Sequence, residues 1–318
     1  MSPIDATLFP AGRKFAFTIL DDTDDSTLAN VAPLYDLLYD LGLRTTKTVW
    51  PLDCPEGSRT FFAASTLSDP DYLAYCQKLA ERGFEITWHG ATMESSDRQR
   101  TVQGLELFRE LFGHYPVVHV NHGQNRENLY WGHKRYQFGP LRLLFRLRSK
   151  DQYDGEDASS PYYWADLAEK HCRFVRNLTF FDINTLKKAP HMVYRLRSTP
   201  GVNYWFATSD APNGGAFKRV VTPATIDRLE REGGICILST HLGKGFVVNG
   251  RVDPEIEATL RYLAGRPGWF VPVSELLQTI LDRKGDPGYL RRDRLLRLEL
   301  AYAMDKIRGL PPAPAVRT

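Results

Sequence analysis

The feature that most constrains the fold is a repeated alternation of short apolar runs with longer amphipathic stretches. It begins at residues 15–20, continues with helical spacing over residues 26–41, and ends with a last helical unit near residue 283. Strands that alternate with helices pair in parallel through right-handed crossovers. Seven or eight such units in one chain favour a closed barrel over an open sheet. The sequence therefore predicts an irregular (β/α)7–8 barrel over residues 1–285.

Two segments do not follow this alternation. Residues 125–160 are rich in aromatic and basic side chains and show no clean period, which predicts an irregular insertion over the mouth of the barrel. Residues 286–318 predict a C-terminal amphipathic helix followed by a short Pro-rich tail. We expect this helix to pack on the barrel or on a second copy of the chain in a homodimer.

Composition and charge indicate an ordinary globular protein. A formal net charge of +3 gives no reason to expect nucleic-acid or membrane binding, and no uncharged run is long enough to span a bilayer. The first residues carry no signal-peptide pattern. The four cysteines are scattered without metal-binding spacing, which predicts buried free thiols and a cytoplasmic location: Cys54, Cys76, Cys172 and Cys236.

Four carboxylates follow the first predicted strand within five residues: Asp21, Asp22, Asp24 and Asp25. Side chains alternate along a strand and fan out in the loop beyond it, so several carboxylates can converge on a small volume. Like charges at that distance need a cation or a proton between them. The pattern fits a metal ligand with a neighbouring base, or a polar loop in which one Asp caps the next helix.

Three of the eight histidines also follow predicted strand ends: His89, His122 and His241. In a parallel barrel these ends open into one shared mouth, where catalytic groups collect. A single histidine at such a place is usually structural, but three with an acidic pair favour a metal-centred site. One Asp with two imidazoles is a common ligand set for a divalent metal, with zinc as the first candidate.

At these residues the chain resembles the polysaccharide deacetylase (NodB-homology) family. The segments that carry the resemblance are Leu20-Asp21-Asp22, Gly83-Phe84-Glu85-Ile86-Thr87-Trp88-His89 and Leu238-Ser239-Thr240-His241. The resemblance implies a metal-dependent hydrolase that removes an N-acetyl group from an amino sugar or a related carbohydrate. It also implies Asp21 as the catalytic base, Asp22 and His89 as metal ligands, and His241 as the general acid.

One position departs from the family pattern. The second motif of the family usually has another histidine four residues after the first, and this chain has Met93 there. A thioether is a poor ligand for such an ion. Three explanations stay open: His122 completes the metal site; Asp24 is the ligand and Asp22 the base; or the site holds no metal.

The sequence also suggests substrate contacts near the mouth, at Trp50, Trp88, Asn121 and Arg126. Competing functions are a metal-dependent barrel hydrolase for another amide or an ester, and an inactive carbohydrate-binding protein. The expected partner is a small-molecule or glycan substrate.

Overall fold

The structure is a computed structural model that describes residues 8–55, 58, 64–147 and 152–310. Eight parallel strands form one sheet in the order β10-β1-β2-β3-β4-β5-β6-β7, and β1 also pairs with β7, which closes the barrel. The predicted barrel class is confirmed. The strands are β1 (Phe15–Asp21), β2 (Thr46–Val49), β3 (Glu85–Trp88), β4 (Val118–His119), β5 (Phe174–Phe180), β6 (Tyr204–Asp210), β7 (Ile235–Thr240) and β10 (Gly268–Trp269), with a hairpin of β8 (Val247–Val248) and β9 (Arg251–Val252) outside the sheet.

The helices that connect the strands cover the outside of the barrel. Their boundaries lie close to those that the sequence indicates, and α3 ends at Gly113 in the left-handed conformation that glycine favours. The α-helices are α1 (Leu28–Asp40), α2 (Pro70–Glu81), α3 (Arg98–Phe112), α4 (Gly139–Arg146), α5 (Ala165–His171), α6 (Thr185–Lys188), α7 (Gly214–Val220), α8 (Pro223–Glu232), α9 (Pro254–Ala264), α10 (Val273–Lys284) and α11 (Arg292–Arg308).

The irregularity of the barrel is located beside β1. The first residues of β1 pair with β10, whereas its last two, Leu20 and Asp21, pair with β2. The side chain of Thr46 in β2 accepts a hydrogen bond from the backbone N–H of Val273 at the start of α10. This hydrogen bond satisfies a buried backbone N–H group at the place where β10 and β2 both pair with β1.

Alternation along β1 sends its consecutive carboxylates to opposite faces. Asp21 points outward beneath α1 and α2, where Tyr35 donates to its Oδ2 at 2.9 Å and Lys47 Nζ lies 2.9 Å away. The side chains of Asp21 and Lys47 are both fully buried. Burial alone would lower the pKa of Lys47, but the charge of Asp21 raises it above its usual value. The two residues therefore form an ion pair inside the protein core.

The C-terminal helix α11 packs on its own barrel. Leu298, Tyr302 and Ala303 are buried, and Glu299 accepts hydrogen bonds from the backbone N–H groups of Gln137 and Phe138 in the insertion. The insertion is more regular than its sequence indicates, because residues 139–146 form α4. The predicted Pro-rich tail lies outside the described residues. No helix among the described residues is long and apolar enough to cross a membrane.

Replacing Lys47 by Met is expected to lower the free energy of unfolding by about 3–5 kcal/mol, because it leaves Asp21 as an uncompensated buried charge. The double variant Lys47→Met/Asp21→Asn should recover part of this loss. Urea unfolding followed by circular dichroism measures both. The exposed Lys78→Met is the control and should stay within about 0.5 kcal/mol of the parent. A loss below about 1 kcal/mol for Lys47→Met would contradict a structural ion pair.

Candidate metal and catalytic site

A polar cleft of about 520 Å³ opens at the C-terminal ends of the barrel strands. Loops after β1, β3, β4 and β7 supply its floor, and the insertion supplies part of its rim. The structure brings together residues that are far apart in the chain, as the parallel barrel predicts. The side chains at its centre are Asp22, Asp24, His89, His122, Arg176 and His241.

The carboxylate of Asp24 is the centre of this cleft. His89 Nε2 lies 3.5 Å from its Oδ1, and His122 Nε2 lies 3.5 Å from its Oδ2. His241 Nε2 and Lys244 Nζ lie 3.2 Å and 3.5 Å from the same Oδ2. The side chain of Asp24 is only 15% exposed, so these contacts are largely shielded from water.

The hydrogen bonds at the other ring nitrogen fix the tautomers of the three histidines. The Nδ1 atoms of His89 and His241 contact the backbone carbonyls of Val120 at 2.9 Å and of Pro212 at 2.7 Å. Carbonyl oxygens only accept, so both Nδ1 atoms carry a proton. His122 Nδ1 lies 3.0 Å from Oδ1 of Asn125, an oxygen identified by the neighbouring amide nitrogen, which donates to backbone carbonyls.

This tautomer has a direct electrostatic consequence. In each neutral imidazole the Nε2 lone pair faces an oxygen of Asp24, and a lone pair facing a carboxylate is repulsive. The arrangement needs positive charge at this point, either protons on the rings or a metal ion that they share. Histidines that bind a metal through Nε2 commonly donate Nδ1–H to a carbonyl, as these do.

Imidazole nitrogens and a carboxylate oxygen are the ligand types that a divalent metal ion such as zinc takes. Oδ1 of Asp24 is buried and has no hydrogen-bond partner among the described residues, so it keeps a free acceptor. Ligand atoms on one tetrahedral zinc ion lie about 3.4 Å apart, because each bond is about 2.1 Å long. Among the described residues, no group of three or more His, Cys, Asp or Glu side chains is placed so that it could hold a metal ion without rearrangement. Binding one would replace the direct contacts between Asp24 and the rings.

The same contacts shift the pKa values of the site. Burial would raise the pKa of Asp24, but the neighbouring rings of His122, His241 and His89, when protonated, lower it far below its usual value. Burial lowers the pKa of His89. For His122 and His241 burial also acts downward, yet Asp24 raises the pKa of each ring above its usual value. Asp24 is therefore held as a carboxylate.

Asp22 occupies a different part of the cleft. Its Oδ2 accepts a hydrogen bond from Arg176 Nη1 at 2.6 Å and lies 3.4 Å from the hydroxyl of Ser239. Its Oδ1 has no hydrogen-bond partner among the described residues. Asp22 thus has one oxygen fixed by a guanidinium and one free to accept a proton.

Asp21, which the resemblance implies as the base, lies outside the cleft. Lys47, Tyr35 and the backbone N–H of Leu242 engage its two carboxylate oxygens, and its side chain is fully buried. The one-residue alternation of β1 explains the difference, since Asp22 and not Asp21 faces the mouth. The structure therefore does not bring Asp21 together with His89 and His241.

His122, and not Met93, is the residue that lies beside the imidazole of His89. Its ring packs against that of His89 at 5.3 Å between centroids and against Trp50 at 5.2 Å. Met93 lines the cleft and packs with Trp50 and Cys54. A histidine from the loop after β4 thus lies beside His89, where a second histidine of the predicted motif is missing.

Three of the four predicted substrate contacts require correction. Trp50 and Trp88 are each 1% exposed, and Trp88 packs on His119 and Trp164, so neither indole is accessible to a substrate. Arg126 pairs with Asp154 at 2.5 Å and lies outside the cleft lining.

The fourth, Asn121, does line the cleft, but its amide hydrogen-bonds the backbone of Leu129 through both of its ends. It therefore shapes the loop after β4.

Two arginines of the cleft, Arg176 and Arg135, did not stand out in the sequence. Arg176 lies in the middle of β5, whose residues are otherwise apolar or uncharged, and a charge in a buried strand needs a partner. This need for a counter-charge is the feature of the sequence that could have identified Arg176. Arg135 comes from the insertion, where no periodic pattern distinguishes it.

Glu127 connects the two loops that carry His89 and His122. Its Oε2 accepts from the backbone N–H of Ser96 at 3.0 Å, and its Oε1 accepts from Asn125 Nδ2 at 2.9 Å. Asn125 in turn contacts His122, so Glu127 positions that ring indirectly. Burial raises the pKa of Glu127 to about 7.

Comparison with solved structures confirms the fold. The chain matches a putative polysaccharide deacetylase from Mycobacterium smegmatis with a TM-score of 0.51 and 15% identity, over 92% of this chain and 98% of the other. It also matches Puue allantoinase (TM-score 0.48, 12% identity, 88% and 95% covered). A probable polysaccharide deacetylase from Pseudomonas aeruginosa PAO1 is similar at a TM-score of 0.48 and 12% identity, with 87% and 94% covered.

In sequence, no family profile and no curated protein matches the chain. At these identities the likeness to the Mycobacterium smegmatis structure establishes a shared fold and leaves the activity to be argued from the site.

The raised pKa of Glu127 predicts a pH-dependent contribution to stability. A carboxyl that titrates near 7 when folded and near 4.5 when unfolded binds more protons in the folded state between those values. Its contribution is therefore largest below about pH 4.5 and declines as the pH rises toward 7, by at most about 3 kcal/mol. The free energy of unfolding of the parent, relative to Glu127→Gln, should fall between pH 5 and pH 8. Glu81→Gln, at an exposed position, is the control, and parallel pH profiles for the parent and Glu127→Gln would refute the shift.

Proposed function

We propose that this protein is a metal-dependent hydrolase that removes an N-acetyl group from an amino sugar or a related carbohydrate. The observation that supports it most is the carboxylate of Asp24 facing three Nε2 atoms, beside a second carboxylate with a free oxygen. Both lie at the mouth of a barrel whose fold is that of a putative deacetylase. The earlier assignment of Asp21 as base and Asp22 as ligand is replaced by Asp22 as base and Asp24 as ligand.

Asp24, His89 and His122 would hold the ion. Zinc is the first candidate because it prefers imidazole and carboxylate ligands. When bound, a zinc ion polarises a substrate carbonyl and lowers the pKa of a bound water. The chain itself supplies the orientation of the ligands, through the Nδ1–H contacts of His89 with Val120 and of His122 with Asn125.

Asp22 is the proposed general base. Arg176 and Ser239 hold one of its oxygens, so the carboxylate cannot rotate freely. Its unpartnered Oδ1 would accept a proton from the water that attacks the amide carbonyl. Arg176 is thus a positioning residue in this mechanism.

His241 is the proposed general acid. The carbonyl of Pro212 fixes its Nδ1–H, which leaves Nε2 directed toward Asp24 and the cleft. A proton at Nε2 would pass to the nitrogen of the leaving amine when the carbon–nitrogen bond breaks. Acetate and a free amino sugar would be the products.

Zinc binding tests the proposed ligands. Equilibrium dialysis with metal analysis should find one zinc per chain, and Asp24→Ala, His89→Ala and His122→Ala should each bind it more than about 100-fold more weakly. Asp22→Asn, two residues from Asp24, is the matched control and should retain zinc. Equal affinity in the parent and Asp24→Ala would remove Asp24 from the site.

Turnover tests the base and the acid. Acetate release from N-acetylated amino sugars should fall about 10²- to 10⁴-fold in Asp22→Asn and in His241→Ala, because each variant removes one proton-transfer group. Both variants should fold as the parent does, as judged by thermal unfolding. Zinc binding without acetate release from any such sugar would favour another amide or ester as the substrate. Absence of both would support the inactive carbohydrate-binding protein.

A further inference from the structure

Among the described residues, every charged side chain that lines the cleft has an oppositely charged partner except Arg135. Asp22 pairs with Arg176, Lys244 contacts Asp24 and Asp25, and Asp210 pairs with Lys306 at 3.0 Å. Arg135 lines the same cleft, and no carboxylate of the described residues lies within ion-pair distance of it. A guanidinium is always ionised, so Arg135 is a positive charge in this cleft without a direct carboxylate partner among the described residues.

Arg135 is nevertheless held firmly in place. Its guanidinium carbon lies 3.2 Å from the centroid of the Trp131 ring, a cation–π contact within the insertion. Its Nη1 donates a hydrogen bond of 2.7 Å to the hydroxyl of Tyr302 in α11. The side chain is thus clamped between the insertion and α11, two elements that lie outside the barrel strands.

These contacts leave some N–H groups of the Arg135 guanidinium without an acceptor among the described residues. Nε of Arg135 is buried and has no acceptor among the described residues. Burial lowers the pKa of Arg135, and the nearby charge of Arg176 acts in the same direction. A preorganised cation kept partly dehydrated in this way costs free energy in the empty protein, and an anion that pairs with it recovers that cost.

We propose that Arg135 binds a carboxylate or phosphate group of the substrate, which makes an acidic amino sugar the preferred substrate class. This inference rests on the proposed function, because it assigns a specificity residue to the same cleft. The guanidinium fork suits either anion, since it can form two parallel hydrogen bonds with two of its oxygens. Arg135 lies outside the Asp24 cluster, so its effect belongs to substrate binding more than to the chemical step.

Binding of matched sugars to the parent protein tests this assignment. Calorimetry with N-acetylmuramic acid, N-acetylglucosamine 6-phosphate and neutral N-acetylglucosamine compares a carboxylate, a phosphate and no anion. The parent should bind at least one of the two acidic sugars about 10- to 100-fold more tightly than the neutral sugar. In Arg135→Met that ratio should fall close to one. The control Arg142→Met removes an exposed arginine from the same insertion and should keep the ratio of the parent.

A second variant, Arg135→Lys, and a measurement of KM complement the binding experiment. If Arg135→Met does not fold, Arg135→Lys keeps the charge without the planar fork and should retain only part of the preference. Kinetically, the loss should appear mainly in KM for the acidic sugar. Parent affinities for all three sugars within about threefold, or an unchanged preference in both Arg135 variants, would overturn the proposal.

Acetate release separates this proposal from the proposed function. Preference for an acidic sugar that depends on Arg135, without acetate release, would keep the anion subsite and reject the deacetylase activity. Acetate release from acidic and neutral sugars alike, unaffected at Arg135, would keep the activity and reject the subsite.

Discussion

The arrangement of this site depends on the two-residue alternation at the end of β1. Because Asp21 faces outward, its charge is matched inside the core by Lys47, and both side chains are removed from solvent. Because Asp22 faces the mouth, it pairs with Arg176 from β5, on the other side of the barrel. Asp24 then lies in the loop, within reach of histidines from three other loops. One segment of seven residues and its loop thus contribute a core ion pair, a candidate base and a candidate metal ligand.

The sequence was sufficient for the barrel and for placing the polar strand-end residues in one cleft at its mouth. Alternating strands and helices determine a parallel closed sheet, and polar residues at strand ends must then meet at one mouth. Sequence could not decide between Asp21 and Asp22, because both are consecutive carboxylates and a shift of one residue in the end of β1 exchanges their faces. It also misjudged Trp50 and Trp88, since a strand-end position does not reveal whether later loops cover a ring.

The role of Arg176 could not be predicted from the sequence for a different reason. Its strand was recognisable, but its partner Asp22 is 154 residues away in the chain, and only the closed sheet brings the two together. The buried Lys47 belongs to the same class. In both cases a charge within a strand that is buried on both faces is a sign that a counter-charge lies elsewhere in the core or the site. Such charges identify partners of acidic motifs more directly than loop residues such as Arg126 do.

The barrel strands hold one set of cleft residues, and the insertion and α11 hold another. The groups proposed for chemistry all lie in barrel strands or within three residues of a strand end, and Asn125 of the insertion contacts one of them, His122. Arg135 instead depends on the insertion through Trp131 and on α11 through Tyr302. Glu299 joins the same two elements by accepting hydrogen bonds from Gln137 and Phe138. A change at Trp131 or Tyr302 can therefore alter which substrate is accepted while the reacting groups stay in place, because these two residues contact Arg135, whereas Asn125 and Glu127 hold His122.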